Sequence, residues 1–131
     1  AAEYTNISGL NYFKEANNSI TTIIHIEGLK GVENLAEIVK IEGIDIIFLG
    51  CYDLSQSCGV PGEVNHPKVL EAMKKAISIA KENGKMIGTF TETFENAKMW
   101  KELGVQYISY AVDVGIILDA FKTVASGLHK N

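Results

Sequence analysis

The chain has 131 residues, of which 47% are hydrophobic and 21% charged, with 12 basic against 16 acidic side chains for a formal charge of -4. One domain of this size buries a core, so global disorder is excluded, and the acidic balance argues against coating nucleic acid or an anionic membrane. No apolar run reaches the roughly 18 residues of a membrane span, and AAEYTNISGL carries no basic-then-apolar leader. Cys51 and Cys58, spaced C-x6-C, fit neither a disulfide scaffold nor a zinc pattern, and a soluble, reduced, cytoplasmic protein is expected.

In chain order, residues 1–19 form a lead-in with a short helix over Leu10–Ala16. Ile20–Ile26 (ITTIIHI) is almost wholly β-branched and predicts a buried strand. Gly31–Ile41 places Val32, Leu35, Ala36 and Val39 at helical spacing, and Glu42-Gly43 stops it. Ile44–Leu49 (IDIIFL) predicts a second buried strand. Gly50–Asn65, with three glycines and a proline, reads as the longest irregular segment. A helix is predicted over Pro67–Glu82, with proline suited to its first turn and Asn83-Gly84 closing it. Lys85–Phe90 predicts a third strand, Thr93–Leu103 a helix ended by Gly104, and Gln106–Val112 a fourth strand. Asp113 stands at an N-cap position before a last helix to about Ser126, leaving 127–131 as a tail.

Residues 20–126 thus form four βα units in a single α/β domain. Strands joined through crossover helices run parallel. An open doubly wound sheet and a piece of a (β/α)8 barrel both fit that order. No G-x-G-x-x-G follows a strand, and four units are about half of a barrel that typically takes about 250 residues.

Ligands of parallel α/β folds gather at the carboxyl ends of the strands. Glu27 directly follows the first strand, and Gly50-Cys51-Tyr52-Asp53-Leu54-Ser55 follows the second. If those strands are neighbours, the two acids leave chains about 4.8 Å apart. Two bare carboxylates so placed repel unless one is protonated or a cation lies between them. Oxygen ligands of this kind suit Mg2+ or Mn2+, and a cation bridging the carbonyl and carboxylate of a 2-oxo acid would stabilise an enolate. The alternative is that Glu27 and Asp53 merely cap local turns. His25 shares a strand face with Glu27, since alternate residues point to one side, although a lone histidine on an apolar strand is commonly a core residue.

Other candidates have plainer readings. Cys51 is a nucleophile only if a base adjoins it, and packing is the alternative. Ser55 and Ser57 lack a G-x-S-x-G elbow and fit turn hydrogen bonding. Trp100, three residues from both Ala97 and Leu103, fits helix-face packing.

The residues also resemble a known family. Ile24-His25-Ile26-Glu27, Gly31-Val32-Glu33-Asn34-Leu35, Glu42-Gly43-Ile44-Asp45, Phe48–Ser55, Gly59-Val60-Pro61-Gly62, His66-Pro67 and Val112-Asp113 are similar to the metal-dependent pyruvate aldolases of the HpcH/HpaI type. The resemblance implies the second half of a (β/α)8 TIM barrel, strands five to eight. It implies a divalent cation (Mg2+, Mn2+ or Co2+) held by Glu27 and Asp53. It further implies pyruvate held as its enolate for reversible aldol cleavage of 4-hydroxy-2-oxo acids, with an aldehyde as the other partner. His25, Gly50, Tyr52 and Leu54 become the substrate-binding positions, with backbone amides near Tyr52 and Asp53 receiving the pyruvate carboxylate.

Departures from the family pattern are specific. His25 stands for a glutamine and is expected to contact pyruvate or orient the metal's water. Gly28 stands for a threonine, Lys30 for a frequent acid and Cys51 for a proline. The family's arginine and acid/base histidine belong to the first half of the barrel, and neither is matched here: no arginine fits, and His25, His66 and His129 lie elsewhere. No catalytic residue is therefore assigned. A CoA-ester lyase of the citrate-lyase type, or a non-catalytic half-barrel that binds metal or pyruvate or only assembles, are the alternatives. A four-stranded half-barrel leaves two open edges and an uncovered apolar face, so a homo-oligomer or association with a first half-barrel is expected.

Overall fold

A computed structural model describes residues 9–128 of the chain. Helix α1 spans Gly9–Ser19, and the βα alternation then runs β1 (Ile23–Ile26), α2 (Leu29–Glu33), α3 (Leu35–Ile38), β2 (Ile46–Leu49), α4 (Cys51–Ser57), α5 (Pro67–Glu82), β3 (Met86–Thr91), α6 (Phe94–Glu102), β4 (Tyr107–Tyr110) and α7 (Asp113–Leu128). The strands form one parallel sheet in the order β1-β2-β3-β4. Consecutive strands are neighbours throughout, the order of a barrel segment rather than of a doubly wound sheet with a switch point. Among the described residues no helix is long and apolar enough to cross a membrane.

The two faces of the sheet differ. Ile26, Ile47, Leu49, Ile87 and Thr89 point to the helices and are buried, packed with Val32, Leu35, Leu54, Val69, Met73, Ala76 and Trp100. Helix α5 supplies the centre of that layer through its buried stripe Val69, Met73, Ala76, Ile77 and Ala80. Its start is set by His66, whose ring Nδ1 accepts the Lys68 N–H at 3.2 Å ahead of Pro67.

The opposite face is a partly open layer of Ile23, His25, Ile46, Phe48, Met86 and Tyr107. Residues paired across it, Ile23 with Ile46 with Met86, and His25 with Phe48 with Gly88 with Tyr107, fall into rows. Gly88 is what lets the second row pack: a Cβ there would lie 2.7 Å from the Phe48 ring and 2.9 Å from the Tyr107 ring. Ile23, Met86 and Tyr107 remain 40%, 45% and 41% exposed. The expectation that β1 is fully buried is thus corrected. Among the described residues no second layer covers the Ile23 side of β1, which lies at the edge of the sheet.

Several element boundaries also differ from expectation: β1 begins at Ile23 rather than Ile20, β2 at Ile46 rather than Ile44, and β4 ends at Tyr110 rather than Val112. The helix expected over Gly31–Ile41 begins earlier and is broken at Asn34 (φ -90°, ψ 1°), whose side-chain amide donates to the Lys30 carbonyl at 2.8 Å and competes with helix continuation. Gly50–Asn65 is not irregular throughout, since it opens with α4. Asp113 is the first residue of α7 rather than its N-cap, and its Oδ1 accepts the Val114 N–H at 2.8 Å. His129 lies outside the described residues.

Candidate functional site

Glu27 follows the last residue of β1, and the pairing of Ile26 with Leu49 sets it level with Gly50 at the end of β2. The Gly50 N–H donates to the Ile26 carbonyl at 3.1 Å, which draws the two strand ends together. Gly50 then serves as N-cap of α4, with Asp53 the third helical residue. The missing side chain at Gly50 is occupied by Glu27: a Cβ there would stand 2.8 Å from Glu27 Cβ and 3.3 Å from its Oε2. Both acids therefore emerge at the carboxyl end of the sheet, from adjacent strands. Neither is a helix N-cap, because Gly28 and Gly50 hold those positions. Asp53 lies in the first turn of α4, where the exposed N–H groups favour an anionic side chain.

His25 points the same way, with Nδ1 3.7 Å from Glu27 Oε2. Its ring stacks on Phe48 (centroids 4.7 Å, 15°), and Phe48 meets Tyr107 edge-on at 5.6 Å. The row fixes the plane of the imidazole, while the side chain stays 57% exposed. This is not the environment of a core histidine.

Tyr52 and Leu54 behave differently. The Tyr52 phenol donates to the Glu92 carboxylate, and its ring lies 6.1 Å from that of Phe90. That hydrogen bond, aided by some burial and by the negative charge of Glu92, pushes the phenol up to about 12. Leu54 is completely buried and its N–H donates to the Gly50 carbonyl at 3.0 Å. It has neither a side chain nor an amide directed at a ligand, and its contribution is to anchor α4 in the core.

The remaining candidates settle into support. Ser55 Oγ donates to the Tyr52 carbonyl at 2.5 Å and accepts the Gly62 N–H at 2.8 Å, tying the first turn of α4 to the following loop. Ser57 Oγ accepts the Leu29 N–H at 2.9 Å, linking α4 to the loop after Glu27. The Cys51 thiol is buried and donates to the Phe90 carbonyl at 3.6 Å. Burial pushes its pKa up, the reverse of what a thiolate nucleophile needs. Trp100 is buried in the helix layer. A cavity of about 90 Å³, bordered by Cys51, Tyr52, Asn65, Phe90, Glu92 and Trp100, lies beside the strand ends.

Glu92 is the residue that sequence reasoning missed. It sits in Thr-Glu-Thr with no motif around it, and only the position just beyond β3 marks it as another strand-end acid.

Among the described residues no group of three or more His, Cys, Asp and Glu side chains is arranged to hold a metal. A closed structural site is therefore not formed. Glu27 and Asp53 are both exposed, and carboxylate oxygens are the donor type that Mg2+ and Mn2+ take, through one or two carboxylates and otherwise through water and substrate oxygens.

Comparison with known proteins gives a consistent result. The family model described as HpcH/HpaI aldolase/citrate lyase matches residues 3–120. A 5-keto-4-deoxy-D-glucarate aldolase of Enterobacter sp. (strain 638) is 32% identical over 120 residues, covering 92% of this chain and 47% of that protein. A 4-hydroxy-2-oxo-heptane-1,7-dioate aldolase of Escherichia coli is 32% identical over 116 residues, covering 88% of this chain and 44% of that protein. The crystal structure of an HpcH/HpaI aldolase/citrate lyase family protein from Burkholderia cenocepacia J2315 superposes with a TM-score of 0.88 at 26% identity, over 95% of this chain and 52% of that one. The chain spans about half the length of each of these three proteins.

Proposed function

Because the chain belongs to the HpcH/HpaI aldolase/citrate lyase family, we propose that it is the second half of a metal-dependent carbon–carbon lyase acting on 2-oxo acids. Its four parallel βα units are half of the barrel seen in family structures. The single observation that carries the reading is the seating of Glu27 on Gly50, one helical turn from Asp53, at the joined ends of β1 and β2.

In this reading Glu27 and Asp53 hold a divalent cation such as Mg2+, Mn2+ or Co2+. When bound, the cation supplies positive charge that stabilises the enolate of a 2-oxo acid such as pyruvate. Glu27 is aimed by its contact with Gly50, and Asp53 by its place in the first turn of a helix that Leu54 anchors. The N–H groups of Tyr52 and Asp53 in that turn have no carbonyl four residues back and are directed to the substrate carboxylate. His25, held flat against Phe48, contacts the 2-oxo acid from the β1 side. The residues that select the aldehyde come from a first half-barrel or a neighbouring subunit, and the proton-handling groups from a first half-barrel. A homo-oligomer or a docked first half would also cover the face that carries Ile23, Met86 and Tyr107.

Methyl-group exchange tests this. With Mn2+ or Mg2+ in deuterated water, pyruvate acquires deuterium only if enolisation is supported, and no aldehyde is needed. Exchange that depends on Glu27 and Asp53 supports an assembled lyase site. Pyruvate and metal binding without exchange corresponds to a half-site that binds and does not catalyse. Absence of both removes the assignment.

A further inference from the structure

Glu92 has no part in the function proposed above, yet it is placed to affect it. It lies one residue beyond β3, is exposed, and borders the same cavity as Tyr52 at the carboxyl end of the sheet. Its carboxylate is bonded by the phenol of Tyr52, the residue immediately before Asp53 in the first turn of α4. Glu92 and Tyr52 line one cavity together with Cys51, beside the first turn of α4 that carries Asp53.

An acid there is a liability for a site that takes an organic anion, because like charges repel and exposure gives a carboxylate freedom to turn. Tyr52 counters this with a charge-assisted hydrogen bond from a neutral donor, which fixes the direction of the carboxylate without adding charge. Tyr52 borders the cavity of about 90 Å³ and is 41% exposed. The bond to Glu92 therefore orients both partners.

We infer that Tyr52, through its hydroxyl, is a positioning residue that pins the Glu92 carboxylate at the end of β3 and holds it off the anionic end of a 2-oxo acid bound beside Asp53. The inference rests on the reading of Glu27 and Asp53 as cation ligands, and it assigns Tyr52 a side-chain role separate from that of its amide. It also makes residue 92 a determinant of 2-oxo acid affinity although it touches neither the cation nor the substrate.

The test is a double-substitution cycle on the full chain, with pyruvate titrated at saturating Mn2+ by calorimetry. Tyr52→Phe is expected to weaken pyruvate about tenfold, the scale of one freed charge near the surface. Adding Glu92→Gln is expected to return the affinity to within about twofold of wild type. Lost packing at position 52 would not be repaired by a change at residue 92, so the recovery separates the charge effect from a structural one. Glu92→Gln alone is expected to bind pyruvate at least as tightly as wild type, which keeps the inference open to refutation if Tyr52→Phe folds poorly. Unchanged affinity in Tyr52→Phe, a loss that Glu92→Gln does not relieve, or weaker binding in Glu92→Gln alone overturns it. Failure of the wild-type chain to bind Mn2+ overturns the cation reading and this inference with it, whereas Mn2+ and pyruvate binding with no effect at Tyr52 overturns this inference alone.

Discussion

Glu27 and Gly50 are in direct contact: the acid leans into the space that any side chain at position 50 would fill, with a hypothetical Cβ only 2.8 Å from Glu27 Cβ. Gly50 has φ -85° and ψ 90°, with a negative φ open to L-residues, so alanine there brings no left-handed strain and acts mainly by displacing Glu27. Gly50→Ala is expected to weaken Mn2+ binding about tenfold, a loss of about 1.4 kcal/mol. Far-ultraviolet circular dichroism should stay that of the wild type. Equal Mn2+ affinity in the two proteins, measured by calorimetry, would take Glu27 out of the site.

Removing either carboxylate should be more severe. Glu27→Gln and Asp53→Asn preserve shape and delete one negative charge each from a two-carboxylate donor set. Partners that merely orient metal ligands are worth 10–100-fold in affinity, so loss of a ligand is expected to cost about 100-fold or more. Both side chains are exposed, so Glu27→Gln should leave the melting temperature unchanged, and Asp53→Asn should lower it only by the small amount that losing a favourable charge in the first turn of α4 entails. Electron paramagnetic resonance of free Mn2+ reports the affinity directly, and a variant that binds as the wild type does would disqualify that residue as a ligand.

Much of this arrangement is legible in the sequence because parallel βα units write themselves strongly. The β-branched runs before Glu27 and Gly50 name two strands, and Pro67 through Glu82 carries caps and stripe together. Alternation alone puts His25 and Glu27 on one side, as found. Helix α4 was not legible: it has seven residues, and Asp53, Ser55 and Ser57 are turn formers by composition. What makes it a helix is tertiary, through Leu54 in the core and Ser55 and Ser57 bonded to other segments. The partnership of Tyr52 with Glu92, 40 residues apart, depends on β2 and β3 being neighbours, which no local pattern encodes. The exposure of Ile23 follows from counting strands, since a half-barrel leaves one apolar face uncovered, and not from the segment itself, whose apolar residues do not say whether a second layer covers them.

The Tyr52 phenol offers a spectroscopic handle on that partnership. Its hydrogen bond to Glu92 and the adjacent negative charge favour the neutral phenol, raising its pKa from 10.0 to about 12. The folded chain therefore holds this proton more tightly than the unfolded chain. The contribution to stability is complete below pH 10.0, where the unfolded phenol is also neutral, and is lost as pH rises through about 12. In an alkaline titration of tyrosinate absorbance, the difference between wild type and Tyr52→Phe should show one group with its midpoint near 12. Glu92→Gln should bring that midpoint back toward the ordinary value. A midpoint unmoved by Glu92→Gln would mean that the phenol is not bonded to Glu92 in solution.

The open face of the sheet predicts how the chain behaves in solution. Ile23, Met86 and Tyr107 are 40–45% exposed on it, and β1 and β4 each present an unpaired edge. Helix α7 adds Val114, Phe121 and Val124, all more than half exposed. Apolar area of this extent drives association at about 25 cal/mol per Å² removed from water, and strand edges supply hydrogen-bonding groups for a second chain. Light scattering should therefore give a mass above the 14.3 kDa of one chain. Met86→Lys and Ile23→Lys place charges on that face without emptying the core, since neither residue is buried. They should shift the protein toward the monomer with far-ultraviolet dichroism retained. A wild-type chain that is monodisperse at 14.3 kDa across micromolar concentrations would show that the face tolerates water, and the need for a covering half-barrel would fall with it.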